Sequence, residues 1–406
     1  MKTWFVFIES NTSGTGQLFA RSAEREGFKP ILFAKDPSNY KYASENGIEV
    51  LRINTEDKEA MLHACHLLKS ESGVAGVTTS SEYFIHAAAI LASRLGLPGP
   101  QASVIRNCRD KQKQRQCLRA AGCDVPAFFP ATTLKGARAI AESMGFPVVV
   151  KPVRGSGSVG VKLCRNLTEV STHATELFRQ RRNERGLAVP RRILIEALAK
   201  GPEFSVETFG RNVVGITQKY LGPLPDFVEV GHDFPAKISD SARKLIHNSV
   251  ISALDALGMG WGPAHTELRL CESGPKIIEV NPRLAGGYIP ELVRIASGID
   301  LIAETIRLAA GRPSHLTRPL NRCACIRFII PAGDGVFIGA HGIDEATAVP
   351  NVVEARLYRT PGSAFCRKGD FRDRIGHVIS CGDNHTDARF SAMKAYSAIR
   401  VAMQSN

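Results

Sequence analysis

The first hundred residues alternate short apolar runs with helical patterns, and this alternation constrains the fold more than any other feature of the chain. In order, the strand-like and helical segments occupy residues 4–8, 17–26, 30–33, 56–69, 74–77 and 82–95. Strands that alternate with helices form a parallel sheet covered by helices. We therefore predict an α/β domain over residues 1–98, ended by a Gly- and Pro-rich linker at 96–100.

The rest of the chain changes character after this linker. Helical stretches near 103–121 lead into a region of β-branched strands and glycine loops that extends to about residue 318. Strand-like runs return at 323–330, 352–357 and 376–380, and an amphipathic helical pattern from about Asp387 to Met403 follows. A chain of 406 residues exceeds the usual single domain, so we expect two or three compact units.

Membrane and secreted classes are not favoured by the sequence. No apolar run approaches the roughly 20 residues of a membrane span, and the chain enters its first strand-like run without a cleavable hydrophobic segment. The ten cysteines follow no metal-ligand spacing. We expect a cytoplasmic protein with no membrane partner, whose cysteines are buried thiols.

The chain is basic, with 52 Lys and Arg against 39 Asp and Glu and a formal net charge of +13. Two stretches, 106–119 and 179–192, concentrate this charge and raise nucleic-acid binding as an alternative. Aromatic residues are sparse in both stretches, so the stacking platform of a single-strand binder is missing. Attraction of a polyanionic small molecule accounts for the charge, and we expect no nucleic-acid partner.

A lysine and a glycine-rich loop form the first motif. The apolar run 146–150 ends in Lys151, and the loop Gly155-Ser156-Gly157-Ser158 follows. Glycines let backbone N–H groups close on phosphate oxygens, while a lysine supplies a point charge. The loop matches neither a P-loop nor a dinucleotide fingerprint, so a plain turn remains the alternative when the loop is taken alone.

The second motif is a strand, a short hinge and a second strand over 193–207. A hinge exposes backbone donors and acceptors to a purine edge, and a carboxylate after it can accept hydrogen bonds from ribose hydroxyls. Glu196 and Leu198 lie at this hinge, and Glu203 follows it. A plain hairpin with solvated glutamates explains the same pattern.

The third motif places carboxylates on one face of a sheet. Glu279 and Asn281 alternate with apolar residues in one strand, and a neighbouring antiparallel strand can bring Glu267 to the same side. Such a set suits Mg²⁺, which binds one or two carboxylates together with substrate phosphates. A solvated sheet face is the weaker alternative because the flanking residues are apolar. Arg283 adds a planar cation for phosphate or an anionic intermediate.

These three motifs occur in the order found in the ATP-grasp superfamily, which the chain resembles over most of its length. The segments 219–236, 265–267 and 281–287, and more loosely 356–362 and 374–379, are most similar to the L-amino-acid ligases. The resemblance implies mixed α/β and α+β architecture: a Rossmann-like N-terminal domain, an ATP-grasp core of two α+β subdomains over 99–320 with a lid at about 125–199, and a C-terminal α/β extension over 321–406.

For nucleotide binding, the resemblance implies ATP with Mg²⁺, or Mn²⁺ in its place. Lys111 and Lys151 would contact phosphates beneath a mobile lid formed by the glycine loop, and Glu196 and Leu198 would meet adenine. Glu203 would meet the ribose. Glu267, Glu279 and Asn281 would hold the metal ions.

For chemistry, the resemblance implies a ligase that activates a carboxylate as an acyl phosphate and joins it to an amine, releasing ADP and phosphate. Arg283 would stabilise the tetrahedral intermediate, Glu229 would accept a substrate ammonium, and His232 would orient or deprotonate the attacking amine. The partners would be a small carboxylate and an amine, and related enzymes favour a homodimer. A purine-pathway type of ligase that activates formate or bicarbonate is the alternative, since it would share every nucleotide residue.

Overall fold

The computed structural model describes residues 2–12 and 14–405. The chain opens with a four-stranded parallel sheet in the order β3-β2-β1-β4, flanked by helices. Its strands are β1 (Trp4–Ile8), β2 (Lys29–Ala34), β3 (Glu49–Arg52) and β4 (Val74–Thr78). Its helices are α1 (Thr15–Arg25), α2 (Lys41–Glu45), α3 (Lys58–Glu71) and α4 (Ile85–Arg94). The alternation of the first hundred residues therefore predicts this layer correctly.

Two short helices, α5 (Ala102–Cys108) and α6 (Lys111–Ala120), lead to a small α+β unit. Its antiparallel sheet has the order β5-β8-β6-β7, and two helices pack against one face of that sheet. The strands are β5 (Phe128–Ala131), β6 (Val148–Pro152), β7 (Lys162–Cys164) and β8 (Ile193–Ala197), and the helices are α7 (Leu134–Met144) and α8 (Leu167–Arg179). This unit occupies the range of the predicted lid.

An eight-stranded sheet forms the centre of the molecule, in the order β13-β12-β9-β10-β11-β14-β18-β16. Its first five strands in the chain are β9 (Glu203–Phe209), β10 (Asn212–Leu221), β11 (Glu229–Phe234), β12 (Pro263–Cys271) and β13 (Gly274–Asn281). The helices α9 (Asp240–Ala256), α10 (Ile289–Ser297) and α11 (Leu301–Ala309) belong to the same region. Apolar side chains of α9 pack with those of β9, β12 and β13 in one buried core cluster.

The last 85 or so residues do not stand apart from this sheet. Three of their strands extend it, namely β14 (Cys323–Ile329), β16 (Val352–Leu357) and β18 (Gly376–Gly382). The others, β15 (Gly335–His341), β17 (Ser363–Phe365) and β19 (Arg400–Gln404), form a three-stranded sheet beside α12 (Ile343–Thr347) and α13 (His385–Ala398). The fold class is confirmed, and the central sheet runs across the predicted boundary at residue 320.

Candidate active site

An open cleft with an empty volume of about 900 Å³ lies between the small sheet and the central sheet. The residues predicted for nucleotide, metal and substrate binding line it, with one exception. They are Lys111, Lys151, Gly155, Ser156, Gly157, Ser158, Glu196, Leu198, Glu203, Glu229, Glu267, Glu279, Asn281 and Arg283. The exception is His232. The fold thus brings together segments that are up to 172 positions apart (283 − 111).

Lys151 stands at the end of β6, where the apolar run delivers it to the cleft. Its ammonium forms an ion pair with Glu196 of the adjacent strand β8, and Arg115 of α6 donates from Nε to the same carboxylate at 2.8 Å. Burial raises the pKa of Glu196, but the two cations outweigh burial and lower it. Burial lowers the pKa of Lys151, and Glu196 opposes that effect. Glu196 is therefore a buried anion that fixes Lys151 in place.

Lys111 begins α6 and reaches the floor of the cleft. Its ammonium lies 2.8 Å from Oε1 of Glu279 and donates to the carbonyl of Gly155 at 3.0 Å. The backbone N–H of Lys111 donates to the carbonyl of Val153 at 2.9 Å. One side chain thus connects a predicted metal ligand with the start of the glycine loop.

The glycine loop closes one side of the cleft. Gly157 and Ser158 both have positive φ, at +64° and +63°, so two successive residues adopt the left-handed region that favours glycine. A Cβ on Gly157 would lie 2.5 Å from Cδ1 of Phe371, and the N–H of Phe371 donates to the carbonyl of Gly157 at 3.3 Å. Gly157 is needed both for its backbone conformation and for this contact with the C-terminal region.

The hinge between β8 and β9 borders the apolar part of the cleft. Pro126, Val149, Leu198, Phe227 and Ile278 supply this apolar lining. Glu203 begins β9 and accepts from Nη2 of Arg269 at 2.9 Å. Apolar walls beside a hinge and a carboxylate match what an adenosine group requires.

The predicted metal carboxylates are direct neighbours in the central sheet. Glu267 of β12 pairs with Glu279 of β13 in the antiparallel register, and His265 pairs with Asn281. His265 lies between two carboxylates, with Nδ1 at 2.9 Å from Glu207 and Nε2 at 3.1 Å from Glu267. Burial lowers the pKa of His265, but the two glutamates outweigh burial and raise it to about 9.

Lys219 of β10 lies beside this pair and was not predicted as a site residue. Its ammonium contacts three carboxylates, at 2.6 Å from Glu229, 2.8 Å from Glu267 and 3.2 Å from Glu203. Burial lowers the pKa of Lys219, but the three anions hold it well above its ordinary value. In the sequence Lys219 is one polar residue in a strand, and only the positions of its strand neighbours reveal its role.

Arg283 connects three parts of the molecule. Its Nε forms an ion pair with Glu82 of the N-terminal domain, and its Nη2 donates to Oγ of Ser156 in the glycine loop at 3.0 Å. Burial lowers the pKa of Arg283, but Glu82 outweighs burial and raises it. Arg283 therefore reaches the cleft as a fixed cation with one side held by Glu82.

Glu229 faces the cleft at the start of β11, with Lys219 on Oε1 and Arg374 on Oε2, each at 2.6 Å. Burial raises the pKa of Glu229, but Lys219 and Arg374 outweigh burial and hold that pKa well below its usual range. The two cations therefore favour the charged form of Glu229.

The structure places His232 outside the lining of the cleft. It is completely buried beside Glu229, its ring packs edge-on against Phe328 at 5.4 Å, and Nε2 lies 3.5 Å from Oε2 of Glu229. Burial lowers the pKa of His232, and Glu229 opposes that effect. The contact of His232 with the attacking amine stays a prediction.

Two family models match this chain. The ATP-grasp domain matches residues 144–291, which carry the glycine loop, the hinge and both metal carboxylates, and the L-amino acid ligase C-terminal domain 2 matches residues 327–404. The chain belongs to the ATP-grasp superfamily. The second match makes the chain similar to the L-amino acid ligases.

The chain is similar to several known proteins. An uncharacterised protein of Sinorhizobium fredii, y4rH, is 37% identical over 98% of this chain and 83% of its own length. Alanine–anticapsin ligase of Bacillus subtilis is 26% identical over 68% of this chain and 61% of its own length. The crystal structure of L-amino acid ligase from Bacillus licheniformis has 25% identity and a TM-score of 0.82, covering 100% of this chain and 99% of that one. The chain is therefore an ATP-grasp ligase that forms amide bonds, similar to the L-amino acid ligases.

The ATP-grasp cleft fits magnesium by the chemistry of its donors. No group of three or more His, Cys, Asp and Glu side chains in residues 2–12 and 14–405 is arranged to enclose a metal ion. Glu267 and Glu279 are instead two adjacent carboxylates whose charge is balanced by Lys219, His265 and Lys111. Mg²⁺ in nucleotide sites commonly uses one or two carboxylates and takes its other ligands from phosphates and water.

Among the helices of residues 2–12 and 14–405, none combines the length and the apolar character that crossing a bilayer requires.

Proposed function

We propose that this ATP-grasp ligase activates the carboxylate of an amino acid as an acyl phosphate and transfers the acyl group to a second amino acid or amine. The observation that carries the proposal is one cleft in which two lysines, two neighbouring carboxylates and a glycine loop face the same space as a separate carboxylate, Glu229. The two lysines, the neighbouring carboxylates and the glycine loop suit a nucleotide with a divalent cation. Glu229 suits a substrate with an ammonium group.

The nucleotide lies with its base against the apolar wall and its phosphates towards Lys111 and Lys151. Glu196 fixes Lys151, so the ammonium needs little reorganisation to meet a phosphate oxygen. Glu203 meets the ribose, and Glu267, Glu279 and Asn281 hold the magnesium ions. When bound, Mg²⁺ offsets negative charge on the phosphates. The glycine loop covers the phosphates and excludes water from the acyl phosphate.

The reaction has two steps and needs no protein nucleophile. An oxygen of the substrate carboxylate attacks the γ-phosphorus, and the bond from that phosphorus to the β-phosphate oxygen breaks, so ADP leaves with the bonding electron pair. The amine of the second substrate then attacks the acyl carbon, and phosphate leaves with the electrons of the C–O bond. The proton lost by the amine passes to phosphate or water. Arg283 faces the anionic intermediate, so catalysis is positioning and electrostatic stabilisation.

Glu229 binds the ammonium group of the amino acid that is activated. A carboxylate whose pKa is held far below its usual range is a weak base and does not readily remove a proton. It therefore suits the ammonium of the activated amino acid, which keeps its proton. It does not suit the attacking amine, which must lose one. Each Glu229 oxygen has one protein cation and retains acceptor capacity for a substrate N–H. The chemistry as proposed does not use His232.

The test is ADP and phosphate release from Mg-ATP with a panel of single amino acids, amino-acid pairs, amines and small carboxylates, with mass detection of products. Turnover that needs an acid and an amine, with a product one water lighter than their sum, supports the proposal. Turnover with formate or bicarbonate and no amino-acid dependence overturns it. A homodimer remains our prediction for the assembly, and sedimentation equilibrium would test it.

A further inference from the structure

A contact that the proposed chemistry does not use reaches Glu229 from the C-terminal extension. Arg374 approaches Glu229 at two points: Nη2 donates to Oε2 at 2.6 Å, and Nε donates to the backbone carbonyl at 3.1 Å. The face of its guanidinium lies 4.0 Å from the centre of the Phe328 ring. These two hydrogen bonds and the contact with the Phe328 ring together fix the orientation of the Arg374 guanidinium. Arg374, which is 145 positions from Glu229 in the sequence, therefore restricts the position of the Glu229 carboxylate.

The turn that carries Arg374 is itself rigidly built. Asp373 is fully buried and accepts from the N–H groups of Lys368 and Gly369 at 2.7 and 2.9 Å. The N–H of Arg374 donates to the carbonyl of Phe371 at 3.3 Å, and Ile375 is fully buried immediately after it. Since the backbone on both sides of Arg374 is fixed, the position of its side chain is set before any substrate arrives.

Gly287 packs beside both Arg374 and His232. A Cβ on Gly287 would lie 2.7 Å from Nε2 of His232 and 3.5 Å from Nη1 of Arg374. Gly287 has a φ of +59°, so its backbone favours glycine and any larger residue would crowd these nitrogens. On the other oxygen of Glu229, Lys219 supplies the matching contact at 2.6 Å. The carboxylate is therefore clamped between two cations while its open edge faces the cleft.

We propose that Arg374 is a positioning residue for substrate binding: it holds the Glu229 carboxylate in the orientation that accepts the ammonium of the activated amino acid. This inference rests on the proposed function of Glu229. It assigns a role to the C-terminal extension, which completes the substrate half of a cleft whose nucleotide half belongs to the ATP-grasp domain. Without Arg374, Glu229 would keep its pairing with Lys219 and rotate about it.

The experiment compares three variants of the full chain with a matched control. Arg374→Gln removes the two-point contact, Arg374→Lys keeps the charge, and Arg374→Ala leaves room for added guanidinium ion. The control is Arg372→Gln in the same turn, whose guanidinium pairs with Asp370, whereas that of Arg374 pairs with Glu229. Steady-state kinetics would be measured for the activated amino acid, for its analogue without the amino group, and for ATP.

We expect Arg374→Gln to raise KM for the amino acid by roughly 10- to 100-fold, the range for losing hydrogen bonds to a charged group. KM for ATP should change by less than about twofold, since the nucleotide contacts stay in place. The preference of the wild type for the amino acid over the analogue without the amino group should fall in Arg374→Gln and not in Arg372→Gln. Arg374→Lys should recover part of the loss, and guanidinium ion should restore part of the activity of Arg374→Ala.

Several outcomes would overturn the positioning role. A loss of equal size for the amino acid and the analogue, an equal loss in Arg372→Gln, or normal kinetics in Arg374→Gln would each show that Arg374 does not act through the ammonium site. Should Arg374→Gln not fold, Arg374→Lys carries the same comparison. A wild type with no dependence on amino acids would instead refute the proposed function, so the two failures are distinguishable.

Discussion

The two ends of the cleft are built in different ways. At the nucleotide end, Lys151, Glu196 and the paired Glu267 and Glu279 come from strands within the ATP-grasp segment. At the proposed substrate end, Arg283 and Glu229 each contact a flanking region of the chain, because Arg283 pairs with Glu82 and Glu229 pairs with Arg374. The partners in these last two pairs are 201 and 145 positions apart. In our proposal, most nucleotide contacts therefore come from the ATP-grasp core, while substrate recognition also depends on both flanking regions of the chain.

The largest expected effect tests the nucleotide end. Glu279→Gln should lower ADP formation by about 10²- to 10³-fold for every substrate, because it removes one of the two carboxylates that would hold magnesium against the phosphates. ADP release in a coupled assay, with thermal unfolding to check the fold, measures this. The control is Glu272→Gln, an exposed residue in the turn between β12 and β13. Near-normal turnover in Glu279→Gln would refute the metal assignment.

Lys219 contacts carboxylates at both ends of the cleft. Its replacement tests whether the charges of the two ends depend on one another for stability. Lys219→Met should lower the free energy of unfolding by about 3–5 kcal/mol, because it leaves Glu203, Glu229 and Glu267 in mutual repulsion with little access to water. Urea unfolding measures the change. The control Lys276→Met, which breaks a more exposed pair with Asp124, should cost less than about 1 kcal/mol. Equal costs for the two variants would contradict this description of the cleft.

Replacement of Glu82 tests whether catalysis depends on the position of Arg283 at the substrate end. Glu82→Gln should lower kcat by about tenfold, since the guanidinium loses the anion that fixes it, while KM for ATP stays within about twofold. Steady-state kinetics with both substrates would show this split. Glu59→Gln removes a surface ion pair with Arg94 in the same domain and should leave both constants unchanged. A large rise in KM for ATP in Glu82→Gln would instead place Arg283 at the nucleotide end.

The smallest expected effect concerns the contact between the glycine loop and the C-terminal extension. Phe371→Ala should raise KM for ATP by about two- to fivefold, because the ring no longer packs against Gly157 and the loop samples more conformations. Phe390→Ala, at an exposed position of α13, is the matched control. No difference between the two variants would show that the loop does not depend on this contact.

The contrast between the two ends also explains what the sequence could predict. The nucleotide residues lie in short segments where a strand period or a glycine loop sets their relative positions, so Lys151, Glu279 and Asn281 could be found from spacing. Lys219, Glu82 and Arg374 could not, because a single charged residue in a strand or loop carries no signal until its distant partner is known. The feature that marks Lys219 is its contact with three carboxylates, and this contact is known only once the strands are placed side by side.

One prediction failed for a reason of tertiary structure. The amphipathic helix predicted to Met403 ends at Ala398, and residues Arg400–Gln404 form β19 instead. These residues pair with β15, and that pairing outweighs a helical pattern that continues in the sequence alone.

The central claim is that the reaction passes through an acyl phosphate. The most direct test traces an oxygen atom of the substrate carboxylate into the products. The amino acid that is activated would be labelled with ¹⁸O in its carboxylate and turned over with unlabelled Mg-ATP and the amine substrate, and the released phosphate would be analysed by mass spectrometry. An acyl phosphate route transfers one carboxylate oxygen to the phosphate, so the account predicts phosphate carrying a single ¹⁸O together with ADP. Unlabelled phosphate, or release of AMP and pyrophosphate in place of ADP, would contradict it.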